Sequence, residues 1–133
     1  MASTLAQELV EKIKLAAERA EKPVPIGLSN RHLHVTKGDF EILFGAGKAL
    51  TNIRQLRQPG FFACQETLTL EGPKGALKNM RIIGPFRAQT QVEVSVSDAV
   101  ALGLTPPVRD SGKLENSPGI KIKTGFPVLR FTI

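Results

Sequence analysis

The sequence has no tryptophan and no tyrosine among its 133 residues, and its aromatic side chains apart from two histidines are seven phenylalanines. Because single-stranded nucleic acid is commonly bound on aromatic stacking platforms, this shortage argues against that class of function. Cysteine is scarce as well. The single Cys64 cannot form an internal disulfide, which favours a reducing compartment, and its apolar neighbours predict a buried side chain rather than a nucleophile.

Long hydrophobic runs are also missing. No apolar stretch approaches the roughly 20 residues that a membrane-spanning helix needs, and the N-terminus lacks the hydrophobic segment of a signal peptide. The sequence therefore predicts a soluble, cytoplasmic protein with no membrane partner.

The basic charge is not concentrated in a dense run. Lys and Arg number 18 against 12 Asp and Glu, which gives a formal net charge of +6, yet the basic residues are scattered along the chain. A positive surface favours anionic partners, and phosphate-bearing small molecules suit it as well as nucleic acid does. We predict an anion-binding surface with one focused pocket and no nucleic-acid partner.

The hydrophobic pattern predicts a mainly β fold with short helices (α+β). Residues 4–20 form an amphipathic pattern with a capping box at Thr4 and Gln7, and this helix is expected to pack on its own domain or on a copy of itself. A stiff linker follows at 22–25. From residue 61 onward, short strand patterns alternate with turn signals about every 8–12 residues, which is typical of a small β-barrel or sandwich.

Residues 91–96 alternate strictly between polar and apolar side chains. The three valines of this strand are predicted to face the core, which places Gln91 and Glu93 on the opposite side. Ser97 and Asp98 are then predicted to cap the next short helix.

Both histidines of the chain lie in one short segment, His32-Leu33-His34. In a β-strand, residues two apart point the same way with Cβ atoms about 7 Å apart, so His32 and His34 can chelate one metal ion. Two ligands alone do not make a zinc site, and two exposed histidines at a strand end are the alternative. Apolar residues change from even to odd positions across Ser29-Asn30-Arg31, which predicts a bulge or bend that re-aims side chains near a site.

Seven short motifs are spread over about residues 24–122: Ser29-Asn30-Arg31-His32-Leu33-His34, Leu43-Phe44-Gly45, Gln58-Pro59-Gly60, Gly72-Pro73-Lys74-Gly75, Gly84-Pro85-Phe86-Arg87, Thr90-Gln91-Val92-Glu93 and Val108-Arg109-Asp110-Ser111-Gly112. In order and spacing this set resembles the PduL-type phosphate propanoyltransferase family of phosphotransacylases.

That resemblance implies reversible transfer of an acyl group between coenzyme A and inorganic phosphate, by two similar small β-barrels with a dinuclear zinc site between them. It implies that His32, His34 and Glu93 are ligands of the first zinc and that Arg87 is the catalytic residue that binds phosphate. The implied coenzyme A contacts are Ser29, Asn30, Arg31, Lys74 and Arg81.

The second barrel of the family carries its own His-x-His motif and a further histidine, and this sequence contains neither. We therefore expect residues 1–22 to form a helical targeting or assembly segment and residues 23–133 to form the first barrel, with the second barrel missing. The chain is then a fragment, a natural half that pairs with a second barrel or with its own copies, or an inactive form.

The alternative function is a non-catalytic module that binds a metal ion and an anion within an assembly. The resemblance also implies a bacterial microcompartment as a place of action.

Overall fold

The computed structural model describes residues 4–22 and 30–124, together with the backbone of 128–132. The elements in chain order are α1 (Leu5–Glu21), β1 (His32–His34), α2 (Lys37–Phe44), β2 (Asn52–Gln55), β3 (Phe62–Glu71), β4 (Ala76–Gly84), β5 (Gln91–Glu93), α3 (Val96–Leu102), β6 (Gly119–Lys123) and β7 (Val128–Thr132). The predicted α+β class is confirmed. The linker predicted at 22–25 and the bulge predicted across Ser29-Asn30-Arg31 both extend into residues 23–29, which lie outside the described residues, so both stay predictions.

One seven-stranded sheet contains every described strand. Its order is β5-β1-β4-β3-β6-β7, with β2 paired to β3 away from this path. β1 and β4 run parallel, whereas all other paired strands are antiparallel. The terminal strands β5 and β7 come close to each other, but no ladder joins them among the described strands. The sheet is therefore not closed into the predicted barrel.

The register of β1 decides which side chains share a face. Across the β1–β5 ladder His32 is paired with Glu93 and His34 with Gln91, while across the β1–β4 ladder His32 is paired with Arg81. Directly paired residues of neighbouring strands point to the same side of the sheet. The very short strands β1 and β5, together with β4, thus place both histidines, a carboxylate, an amide and a guanidinium on one face.

The opposite side of β1 belongs to the apolar core. Leu33 and Val35 are fully buried, as their odd positions predicted, and Cys64 is buried as expected. The core also includes residues of α2, of the long β3–β4 hairpin, of β5, of α3 and of β6, namely Phe40, Leu43, Leu68, Leu70, Met80, Ile82, Val92, Leu102, Ile120 and Ile122.

The start of α3 differs from the prediction. Ser95, rather than Ser97 or Asp98, is the N-cap, because its hydroxyl accepts a hydrogen bond from the backbone N–H of Asp98 at 3.1 Å. The strand therefore ends at Glu93, and Val96 is 72% exposed instead of facing the core.

The N-terminal helix α1 has its own cap and contains no buried residue. Thr4 and Gln7 make the predicted capping box, but none of the helix residues is buried, and Leu5, Leu9 and Ile13 are largely exposed. The alternative in which α1 packs on its own domain is thus not realised in the described residues. None of the described helices has the length and apolar character to cross a membrane.

Candidate metal centre and basic cavity

Three side chains converge on the face of the sheet that β1 and β5 share. The ligand atoms of His32, His34 and Glu93 all lie within 4.8 Å of one another. Nε2 of His32 is 3.2 Å from Oε2 of Glu93, and Nε2 of His34 is 3.6 Å from Oε1. The two imidazole rings meet edge to face. The paired positions of the three residues account for this convergence without any long loop.

The second nitrogen of each imidazole ring faces a backbone carbonyl. Nδ1 of His32 is 2.7 Å from the carbonyl oxygen of Asn30, and Nδ1 of His34 is 3.2 Å from that of Ile83. Because a carbonyl only accepts, Nδ1 is the donor of each ring in these contacts, and Nε2 of each ring is directed towards Glu93. This arrangement is the usual support of metal-binding histidines. Two imidazoles and one carboxylate therefore fit a divalent metal ion with an open position.

The charge of Glu93 is strongly favoured. Hydrogen bonds from His32 and His34 hold the pKa of its carboxyl well below the usual range, and Ser111 contributes in the same direction. Burial lowers the pKa of His32, but hydrogen bonds to Glu93 and to the Asn30 carbonyl outweigh it and leave that pKa above its ordinary value. In the absence of a metal ion, a proton on His32 is thus stabilised by the carboxylate that would share the metal.

The three side chains form part of the wall of a cavity of about 710 Å³. Four arginines also line it: Arg31, Arg54, Arg81 and Arg87. Guanidinium groups stay protonated in proteins, so this basic cavity attracts anions. It is the focused pocket that the scattered basic residues predicted.

Arg87 is fixed beside the histidine strand. Its Nη1 donates a hydrogen bond to the hydroxyl of Ser111 at 3.1 Å, and its guanidinium carbon is 5.6 Å from the centre of the Phe61 ring. Its backbone N–H donates to the carbonyl of Val35, directly after β1, at 2.9 Å. Both ends of the residue are therefore held, and its planar group is half-buried at the cavity wall.

Two of the predicted coenzyme A contacts, Arg81 and Arg31, are also held by single strong contacts. Arg81 donates through Nη1 to the carbonyl of Cys64 at 2.5 Å, and Arg31 pairs with the carboxylate of Asp98 on α3 at 2.9 Å. A guanidinium has five N–H donors, so one bond orients each group and leaves other donors available for a ligand. Asn30 lines the same cavity.

Lys74 is located elsewhere in the fold. It lies in the turn between β3 and β4, where its backbone N–H donates to the backbone carbonyl of Leu102 at 3.1 Å. This close approach depends on Gly72, since a Cβ there would lie 2.2 Å from the same oxygen. Lys74 is not among the described residues that line the basic cavity, and its contact with coenzyme A stays a prediction, as does that of Ser29, which lies outside the described residues.

Three residues of the site were not assigned from the sequence. Arg54 reaches the cavity because β2 pairs with β3, a pairing with no local signal. Gln91 was placed on the side of the strand opposite the valines and given no role, and it is only 4% exposed. Ser111 was part of a recognised motif and was given no role, although it contacts Arg87 and Glu93.

A second cavity of about 420 Å³ adjoins the first and shares Glu93 and Ser111 with it. Its wall is mostly apolar and includes Val92, Val94, Val96, Val100, Leu104, Pro106, Pro107, Val108 and Leu114. The candidate metal centre thus lies between a basic cavity and an apolar one.

Fold and site together define a class of α+β domain that presents a three-residue metal-ligand group inside an arginine-lined cavity. A sequence profile described as phosphate propanoyltransferase matches residues 25–131. The chain belongs to the phosphate propanoyltransferase family, which confirms the resemblance seen in its motifs.

Curated relatives give the same family name. The chain is 55% identical over 104 residues to a phosphate propanoyltransferase of Thermotoga maritima, covering 78% of this chain and 50% of that protein. It is 52% identical over 99 residues to one of Rhodopseudomonas palustris, covering 74% and 44%. The one of Salmonella typhimurium is 43% identical over 129 residues, covering 97% and 60%. The chain thus spans about half the length of the curated relatives it matches.

Proposed function

We propose that the chain contributes one half of an active centre for phosphate acyl transfer, which interconverts a short acyl-CoA such as propanoyl-CoA plus phosphate with acyl phosphate plus coenzyme A. The observation that carries the proposal is the convergence of His32, His34 and Glu93 at the wall of an arginine-lined cavity. Membership of the family supports the reaction. Since the chain spans about half of its relatives, the activity is proposed for the assembly that contains it.

Zinc is the metal we propose for the three-ligand group. Two imidazoles held through Nδ1 and a carboxylate kept ionised are a common zinc ligand set with one open position. A bound zinc ion would supply Lewis-acid polarisation of a thioester carbonyl and would stabilise a departing thiolate.

Arg87 is proposed to hold the phosphate. A guanidinium fork binds two oxygens of a phosphate group at once, and the contacts to Ser111 and Phe61 orient this fork beforehand. Attack by a phosphate oxygen on the carbonyl carbon breaks the carbon–sulfur bond and releases coenzyme A. A fixed positive group stabilises the charge that develops, without having to reorganise.

The transfer is proposed to be direct, within a ternary complex of the chain, acyl-CoA and phosphate. Cys64, the one thiol of the chain, is buried, and burial together with the charge of Glu66 raises its pKa to about 11. Only the thiolate is a good nucleophile, so an acylated Cys64 is not part of the mechanism. Ping-pong kinetics would contradict this proposal.

The two cavities suggest how acyl-CoA is oriented. We propose that Arg31, Arg54 and Arg81 bind the phosphate groups of coenzyme A in the basic cavity, with Asn30 beside them. The acyl group then enters the adjoining apolar cavity, so that the thioester lies near Glu93 and Ser111, which border both.

Assembly is proposed to complete the centre. The family resemblance implies that a second barrel holds a second zinc ion, and a second copy or a second barrel facing this cavity would supply that half. We further propose that residues 1–22 act as an assembly segment, for example towards a microcompartment shell, because α1 forms fully while leaving its apolar side exposed.

A non-catalytic assembly module is the second candidate. It is favoured by the three-ligand group of the described residues and by the coverage of about half of each relative. In that case the basic cavity and the metal serve binding alone.

Acyl phosphate formation tests the proposal. The purified chain with one equivalent of zinc is mixed with propanoyl-CoA and phosphate, and the acyl phosphate is trapped as a hydroxamate. We expect turnover that Arg87→Gln lowers by at least 100-fold, about 2.7 kcal/mol of transition-state stabilisation.

The matched control is Arg57→Gln, which removes an exposed arginine outside the residues lining the basic cavity and should leave turnover unchanged. Bound zinc and phosphate without turnover, in a chain that light scattering shows to be oligomeric, would favour the assembly module instead.

A further inference from the structure

Gln91 is a buried amide in direct contact with the candidate metal centre. Across the β1–β5 ladder, His32 faces Glu93 and His34 faces Gln91, so these four side chains form a block of two by two on one face. Three of them are the candidate metal ligands. The fourth is an amide that is only 4% exposed, on the side of the strand opposite the valines.

The amide of Gln91 is bonded at both of its ends. Its nitrogen donates to Oε1 of Glu93 at 2.6 Å and to the hydroxyl of Ser111 at 2.9 Å, and its oxygen accepts the backbone N–H of Gly112 at 2.7 Å. Ser111 donates in turn to the same Oε1 at 3.1 Å. Gln91 therefore links the carboxylate to the loop that carries Ser111.

The two oxygens of the carboxylate have different contacts. Oε1 accepts from the amide and the hydroxyl and also lies 3.6 Å from Nε2 of His34, whereas Oε2 lies 3.2 Å from Nε2 of His32. A neutral donor suits this position, because a cationic donor would compete with a metal ion for the carboxylate. An acidic side chain there would repel Glu93.

We infer that Gln91 is a positioning residue of the metal centre, which fixes the orientation of Glu93 and docks the Ser111-Gly112 segment against it. The inference rests on the proposed metal site and goes beyond it by assigning the support of the ligand. Outer-shell partners of this kind are worth about 10–100-fold in metal affinity.

The test is zinc affinity, measured by competition with a chromophoric chelator, together with hydrogen exchange at the Gly112 amide. Gln91→Met keeps the volume and removes every polar contact. We expect about 10–100-fold weaker zinc binding and faster exchange at Gly112. Ser111→Ala removes one of the two donors to Oε1 and should give a smaller loss while Gly112 stays protected.

Ile122→Val is the matched control, because it thins the core at a buried position of β6 outside the metal centre. It should lower the melting temperature and leave zinc affinity within about twofold, since its cost is limited to a lost methyl group. If Gln91→Met does not fold, Gln91→Asn, which keeps an amide but shortens its reach, takes its place and should also weaken zinc binding.

The outcomes separate this inference from the proposed function. Unchanged zinc affinity in the Gln91 variants would overturn the positioning role and leave the metal site standing. A parent chain that binds no zinc would overturn both the site and its support. A parent chain that binds zinc but catalyses no acyl transfer would count against the proposed function alone.

Discussion

α1 and the sheet differ in the kind of interaction that stabilises each of them. The 17-residue helix has an N-terminal capping box and an amphipathic pattern, and it buries nothing. β1 has 3 residues, and its neighbours in the sheet bury Leu33 and bring both histidines to Glu93. Local signals suffice to form a helix, whereas the candidate site depends on which strands pair and in what register.

The largest expected difference between the two regions concerns metal binding. His32→Ala removes one of three ligands, so we expect zinc affinity to fall by more than about 100-fold, beyond the loss of an outer-shell partner. Deletion of residues 1–22 should leave the affinity unchanged, because no residue of α1 is buried against the site. Equilibrium dialysis with metal analysis measures both. Equal losses would mean that α1 contributes to the site.

The two regions should also differ in the reactivity of a thiol placed in each of them. Burial raises the pKa of Cys64 to about 11, so its thiolate fraction at pH 8 should be about 100-fold below that of a thiol with a pKa near 9. A cysteine placed on exposed α1, in Ala20→Cys with Cys64→Ala, should react at an ordinary rate.

The measurement is the alkylation rate against pH. For Cys64 the rate should keep rising as the pH approaches 11, because the folded chain binds the thiol proton more tightly than the unfolded chain does. A plateau near pH 9 would contradict this.

The smallest expected difference concerns the free energy of unfolding when a leucine is replaced by alanine in each region. Leu68→Ala empties a fully buried position of β3 and should lower the free energy of unfolding by about 2–5 kcal/mol. Leu9→Ala on α1 should change it by less than about 0.5 kcal/mol, since Leu9 is 58% exposed. Denaturant unfolding followed by a sheet signal measures both. A comparable loss for Leu9→Ala would show that α1 packs on the domain or on another copy.

Sequence patterns predicted the structural features that depend on residues close together in the chain. The cap at Thr4, the turn at Gly72-Pro73-Lys74-Gly75 and the shared face of His32 and His34 all follow from short-range rules, and each has its counterpart in the structure. The burial of Cys64 could be predicted because its neighbours are apolar.

What could not be predicted depends on contacts far apart in the chain. Alternation placed Gln91 on the side opposite the valines, but it could not indicate that the loop carrying Ser111 and Gly112 bonds to it there. The same rule extended the strand to Val96, where a hydrogen bond from Asp98 to Ser95 had already begun a helix. Arg54 joins the cavity through a strand pairing that no local pattern indicates.

Because β1 and β5 are very short, the candidate site should be more sensitive to insertions than to substitutions. Thr90, one residue before β5, accepts the backbone N–H of Thr36 at 3.1 Å and donates to Asp39, which ties the start of β5 to α2. One codon inserted after this tie would shift β5 by a residue and place Val92 where Glu93 faces His32. Such an insertion would abolish the ligand set at once, whereas many substitutions nearby would only weaken it.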